Sequence, residues 1–170
     1  MARYRIDPER SRIAAEAQSN LRPIRIETTG LEGWFEAELD GHRIDPGVAP
    51  TGRIQIRAER LRTGNGLYDR ELERRLDSRT YPYVRGDITA VRELDATGRY
   101  AVRGDLRFHG VTCAVEGEVH LRAIDEQTVE IEGEQLIDVR DFGLETPRLL
   151  MLTIRPELRV RGHIVAMRDR

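Results

Sequence analysis

The chain has a single cysteine, Cys113, so no disulfide can form within it. A lone thiol suits a reducing compartment. No apolar run approaches the length of a membrane-spanning helix; the longest lies near "RLLMLTI". The opening stretch "MARYRIDPERSR" lacks the apolar core of a secretion signal. Net charge is only −2, so no overall basic field draws nucleic acid or an anionic membrane. The four histidines, His42, His109, His120 and His163, show no metal-ligand spacing. These absences favour a cytoplasmic domain with no metal, no cofactor, no nucleic-acid partner and no integral membrane association. No linker or low-complexity stretch divides the chain, so residues 1–170 read as one domain.

What is present is alternation. Charged residues make up 34% of the chain, interleaved with apolar ones rather than blocked. Ile13, Ala15 and Ala17 share one face, and Ile24 and Ile26 another. Leu31, Gly33, Phe35, Ala37 and Leu39 follow, then Ile54, Ile56 and Ala58. The second half continues with runs through Val84–Ala90, Tyr100–Phe108, Val111–Leu121, Val129–Ile137 and Ile154–Ala166, the last broken by Pro156. Period two over so many segments predicts half-buried antiparallel strands. His109-Gly110 falls between two runs and predicts a tight hairpin. One segment departs from the period. In "NGLYDRELERRLDS", Tyr68, Leu72 and Leu76 recur every four residues and Asn65 stands as N-cap. That predicts one amphipathic helix over residues 67–77.

A small pattern recurs in the strands: apolar, charged, glycine, charged, apolar. It occurs around Gly86, Gly104, Gly117 and Gly162, and Gly133 keeps most of it. In every copy the glycine falls on the apolar face. Inward glycines let a strand bend at a barrel corner, or leave space where side chains would be. An eight-stranded barrel is at the size where that space decides between a filled core and a ligand cavity. Both readings stay open from the sequence. The outer charges predict cross-strand pairs: Arg103 and Asp105 beside Glu116 and Glu118, and Glu132 and Glu134 beside Arg161 and His163. The inner face carries no ionisable carboxylate, imidazole or amine. Cys113 and Gln135 are its main polar exceptions.

Some strings carry little. "DFG" at residues 141–143 has no kinase context. "RGD" at residues 85–87 and 103–105 lies in the middle of strands. "TGNG" at residues 63–66 opens the helix, where an anion could sit, but no P-loop lysine follows.

Four longer strings occur in order: "YRIDPERSRI", "DRELERRLDSRTYPYV", "YAVRGDLRFHGVT" and "DVRDFGLETP". Together they resemble the YceI-like family of lipocalin-like barrels, also called polyisoprenoid-binding proteins. The resemblance spans nearly the whole chain. It implies a mainly β fold, an antiparallel eight-stranded lipocalin-like barrel with one or two short helices, often dimeric, holding an isoprenoid or similar lipid.

The expectation is therefore a non-catalytic carrier or store of a long apolar ligand, isoprenoid or fatty-acid-like. Phe35, Ile56, Ile88, Val102, Leu106, Val115 and Val119 are the expected wall. Gly86, Gly104, Gly117 and Gly133 are the expected gaps, and Gln135 the one interior amide. Arg70, His109, Arg140 and Asp141 are the head-group candidates, since arginine suits phosphate or carboxylate. Two alternatives remain. One is an enzyme with a rim site pairing His109 with Asp141 or Glu145. The other is a ligand-free interaction module, possible as a homodimer, with Trp34 outward as anchor.

Overall fold

A computed structural model describes residues 1–145, 148–149 and 151–170. Its strands are β1 (Ala2–Ile6), β2 (Arg12–Ser19), β3 (Ile24–Thr29), β4 (Glu32–Ala37), β5 (Leu39–Asp40), β6 (Arg43–Ile44) and β7 (Thr51–Arg57). Helix α1 (Gly66–Leu76) follows, then β8 (Tyr83–Glu93), β9 (Arg99–Phe108), β10 (Val111–Ala123), β11 (Thr128–Asp138), β12 (Arg148–Leu149) and β13 (Leu152–Arg168). Short 3-10 turns stand at Ala58–Arg60 and Val139–Phe142.

The main sheet closes on itself as an eight-stranded antiparallel barrel. β1 and β2 act as one barrel strand, bent where the chain turns at Asp7–Ser11. β3 and β4 form a second, bent at Gly30. From β4 the ring runs through β7, β8, β9, β10 and β11 to β13. β13 closes it, pairing with β11 on one side and with both β1 and β2 on the other. Ser11 pins the corner between β1 and β2. Its buried hydroxyl donates to the Val165 carbonyl and accepts from the Val165 N–H at 3.0 Å.

Most of the outer charges pair across strands as expected; Asp105 lies opposite Ala114, and Glu118 turns to Arg99 instead. Arg103 lies opposite Glu116, Glu134 opposite Arg161 and Glu132 opposite His163. Arg103 reaches Glu116 at 3.5 Å, and Glu134 holds both Arg159 and Arg161. Such exposed pairs are worth about 0–1 kcal/mol each and mainly fix register.

His109-Gly110 is a two-residue hairpin with φ of 52° and 77°. Positive φ at both positions matches the right-handed twist of the flanking strands, and Gly110 enters that region without cost. The His109 ring packs on Tyr81, centroid to centroid 4.5 Å.

Helix α1 begins and ends one residue earlier than the pattern predicts. Asn65 Oδ1 accepts from the N–H groups of Leu67 and Tyr68, the expected N-cap. The cap thus takes the N–H groups where an anion was suggested, and Asp69 turns back to accept from the Thr63 N–H and hydroxyl. Of the predicted stripe only Leu76 is fully buried; Tyr68 and Leu72 are half-buried. The helix lies across one end of the barrel, where Tyr68 packs against Ala17, Ile24, Leu152 and Ile154.

Candidate functional site

The inner faces of the strands are not uniformly buried. Both ends of the barrel are packed. At one end Tyr4 stacks on Phe35 with ring centroids 4.9 Å apart, among Ala37, Val129 and Ala166. Burial holds the Tyr4 phenol above its ordinary pKa. Beside them Tyr100 is only 2% exposed, and its hydroxyl accepts from the Ile44 N–H at 2.9 Å. Ile44 belongs to the β5–β6 hairpin, which Arg43 ties to Glu93 of β8 at 2.6 Å. At the other end lies the cluster under α1. Between the two, inward residues such as Val102, Val115, Val119 and Val160 are only half-buried. They face a cavity of about 310 Å³.

The cavity wall is apolar. Of the residues expected from the sequence, Phe35, Ile88, Val102, Leu106, Val115 and Val119 line it, as do Gly86, Gly104, Gly117, Gly133 and Gln135. Ile56 does not: it is buried near the end of β7, beyond the cavity. Gln135 is the only amide on the wall among the described residues. Arg53, Asp87, Asp105, Glu118 and Glu134 touch the wall, yet alternation directs their side chains outward. There Arg53 holds Asp87 at 2.7 Å and Arg99 holds Glu118 at 2.8 Å.

The inward glycines divide into two kinds. A Cβ on Gly104 would lie 2.6 Å from the backbone oxygen of Asp87. This glycine permits close approach of β8, next to the bulge between Ile88 and Ala90. A Cβ on Gly162 would meet nothing nearer than Ile13 Cγ1 at 3.8 Å, so this glycine leaves room. The sequence left curvature and space as alternatives; different glycines supply each.

The bulge also corrects the reading of β8. The strict alternation puts Ala90 inside. One extra residue shifts the period, so Ala90 is exposed and Val91 lines the cavity. Ile6, Ile44 and Pro50 join the wall from the barrel's end and its covering hairpin. Periodicity gives no signal for these, because tertiary folding places them. Trp34 is outward, as alternation predicts, but half-buried. The Arg3 guanidinium lies 4.2 Å from its ring centroid.

The four head-group candidates come from elements at the helix-covered end. The structure does not join them into one cluster through hydrogen bonds among the described residues. Arg140 is engaged by Asp138, whose carboxyl it holds below its ordinary pKa, and reaches Glu157 at 3.9 Å. Asp141 is exposed, and its backbone carbonyl receives the Cys113 thiol at 3.3 Å. Arg70 is exposed on α1, and His109 is on its hairpin against Tyr81. No hydrogen bond among the described residues links His109 to Asp141 or Glu145. Thr146 and Pro147 of the "DVRDFGLETP" string lie outside the described residues.

Comparison with known proteins agrees with this architecture. Burkholderia cenocepacia BcnA superposes with a TM-score of 0.79 at 18% identity, covering 94% of this chain and 98% of its own. A polyisoprenoid-binding domain from Saccharophagus degradans, implicated in plant cell wall breakdown, gives 0.77 at 15% identity over 98% of both chains. A Campylobacter jejuni YceI protein gives 0.61 at 14% identity, covering 80% of this chain and 82% of that one. At such identities the likeness shows the fold. A search of curated protein sequences finds no match. The family model for the YceI-like domain matches residues 4–166, nearly the whole sequence. The chain belongs to the YceI-like family.

Proposed function

We propose that this protein binds a long apolar molecule, an isoprenoid or a fatty-acid-like lipid, inside its barrel and carries or stores it without catalysing a reaction. The observation that carries the reading is the cavity of about 310 Å³, apolar in wall and with ionisable side chains directed away from it. The volume is at the lower end of ligand pockets, roughly 300–1,000 Å³. It accommodates a segment of a chain-shaped ligand rather than a whole long polyisoprenoid, so a longer ligand requires one of the packed ends to part. A general acid or base needs a titratable group within hydrogen-bond reach of the reacting atom; among the described residues, the inward polar groups of the wall are the Gln135 amide and the Tyr100 hydroxyl, which the Ile44 N–H already engages. The Saccharophagus relative is a polyisoprenoid-binding domain, which supports the same ligand class.

The proposal includes a cytoplasmic location, supported by the free Cys113 thiol, and a homodimer, the assembly common in the family this chain resembles. Native mass spectrometry of protein purified without detergent tests ligand and assembly together. The expected result is an adduct of lipid mass that organic extraction removes. The stripped protein should then take up a fluorescent long-chain fatty acid. A protein that carries no adduct and takes up no such probe would overturn the reading.

A further inference from the structure

On the outside of the barrel, the strand register brings His120 of β10, Glu132 of β11 and His163 of β13 into one row. His120 is turned aside, with Nε2 2.9 Å from the Thr97 carbonyl. Glu130, two residues before Glu132 on the same face, fills the gap. Its Oε2 lies 3.5 Å from His163 Nε2. One ligand atom from each of Glu130, Glu132 and His163 falls within 4.8 Å of the others. The geometry points to a binding site for a divalent first-row transition metal, held by Glu130, Glu132 and His163.

The spacing is the first support. Two ligands at zinc-like bond lengths in a tetrahedral site stand about 3.4 Å apart, and His163 and Glu130 stand at 3.5 Å before any ion binds. The second support is the division of labour in Glu130. Arg122 takes Oε1 at 2.8 Å and leaves Oε2 facing His163. Metal-ligating carboxylates are oriented by an outer hydrogen bond of this kind. Third, Glu132 makes no ion pair or side-chain hydrogen bond among the described residues. Fourth, Glu130 and His163 are only 20% and 31% exposed, so a cation there meets ligands already partly desolvated.

One imidazole nitrogen and two carboxylate oxygens favour Zn²⁺, Co²⁺ or Mn²⁺ over the all-oxygen preference of Ca²⁺ and Mg²⁺. Three protein ligands leave a fourth position for water. Arg12, opposite His163 on β2, is the nearest unengaged cation in the register and keeps the affinity modest.

The position has a structural meaning. Immediately after Glu132 and before His163, Gly133 faces Gly162 on the inner side of the same strand pair. The barrel wall carries no side chains there. A metal bridging β11 to β13 from outside staples the wall where packing inside is thinnest.

The test is calorimetric titration of chelator-stripped protein with Zn²⁺, repeated with Co²⁺ to read the ligand field by absorbance. The expected result is one saturable ion per chain and a melting temperature that rises with Zn²⁺ and falls back with EDTA. His163→Ala and Glu132→Gln each weaken binding by at least about 10–100-fold, the loss that even an outer partner causes. Glu134→Gln, on the same face but outside the site, binds as the parent does. Apo melting curves confirm that each variant folds. Absence of saturable binding, or binding that survives His163→Ala, overturns the proposal.

Discussion

Replacing Gly104 and Gly162 by alanine, one at a time, separates the two uses of inward glycine. The sites share a sequence pattern and a face, so a pattern-based argument gives them the same response. The structure gives them opposite ones. At Gly104 the new methyl would stand 2.6 Å from the Asp87 carbonyl oxygen, which is backbone and held in the sheet. Relief requires β8 to move away at its bulge. Overpacking of this kind costs about 1–3 kcal/mol. For a domain of this length that lowers the melting temperature by about 2–12 °C. At Gly162 the methyl enters ordinary van der Waals contact with Ile13, at 3.8 Å. Neither glycine is at positive φ. Reduced freedom of the unfolded chain then leaves Gly162→Ala about 0.4–1 kcal/mol more stable than the parent. Urea melts of the three proteins, with equal slopes, read both changes. A Gly104→Ala variant as stable as the parent, or a Gly162→Ala variant less stable than Gly104→Ala, would falsify the division.

Gly162→Leu extends the same argument to binding. The longer side chain projects into the cavity, so uptake of a fluorescent fatty acid falls while folding survives; unchanged uptake in a folded variant would place the ligand elsewhere. Leu76→Ala costs about 2–5 kcal/mol, because Leu76 is the fully buried member of the helix stripe. Leu72→Ala, at a half-buried position, should cost less, and a reversed order in denaturant melts would contradict the packing of α1. Asn65→Ala removes the cap and costs about 0.5–2 kcal/mol, read as loss of stability in the same melts. Acid should destabilise the barrel. Burial of Asp87 opposes its ionisation, but Arg53 and Arg85 outweigh it and hold the carboxyl below its ordinary value. Arg140 does the same to Asp138. These carboxylates ionise more readily folded than unfolded. Their stabilisation is therefore complete above the ordinary carboxylate value near roughly pH 4 and is lost as pH falls through the lower folded values. A melting temperature that stays flat from neutral pH to pH 2 would contradict this.

The barrel was legible because half-buried strands write their burial into every second residue. Val102 to Phe108 and Val111 to Leu121 obey the rule without a break, and the turn between them is fixed by His109-Gly110. β1 was not read as a strand. It is five residues long, and Asp7 and Pro8 separate it from the longer pattern of β2. β5 and β6 are two-residue strands joined at Gly41, too short to show alternation of their own, and Leu39 reads only as the end of the run from Leu31. The wall of the cavity was legible wherever alternation held, and failed at Ala90, where a bulge moved the phase by one. Arg140 and His109 illustrate the harder limit. Charge and turn position made them candidates for a ligand. Tyr81, which engages His109, is identified only by where the chain folds back, and Asp138, two residues from Arg140, meets it through the local 3-10 turn rather than through any pattern of alternation.

The seam at β13 has a kinetic consequence. Ser11 meets Val165 across a sequence separation of 154 residues. The length-dependent part of closing so large a loop is about 4 kcal/mol of entropy before any contact is gained. Topologies dominated by such pairings fold in milliseconds to seconds rather than microseconds. Until closure, β2 and β11 each present a row of unpaired backbone groups, an invitation to pair with another chain. On β11 the outward residues Glu130, Glu132 and Glu134 line that temporary edge with like charge. Two nascent barrels that met at the open β11 edge would bring six carboxylates together. The glutamates that fix register in the finished wall thus also keep the unfinished one from joining its neighbour.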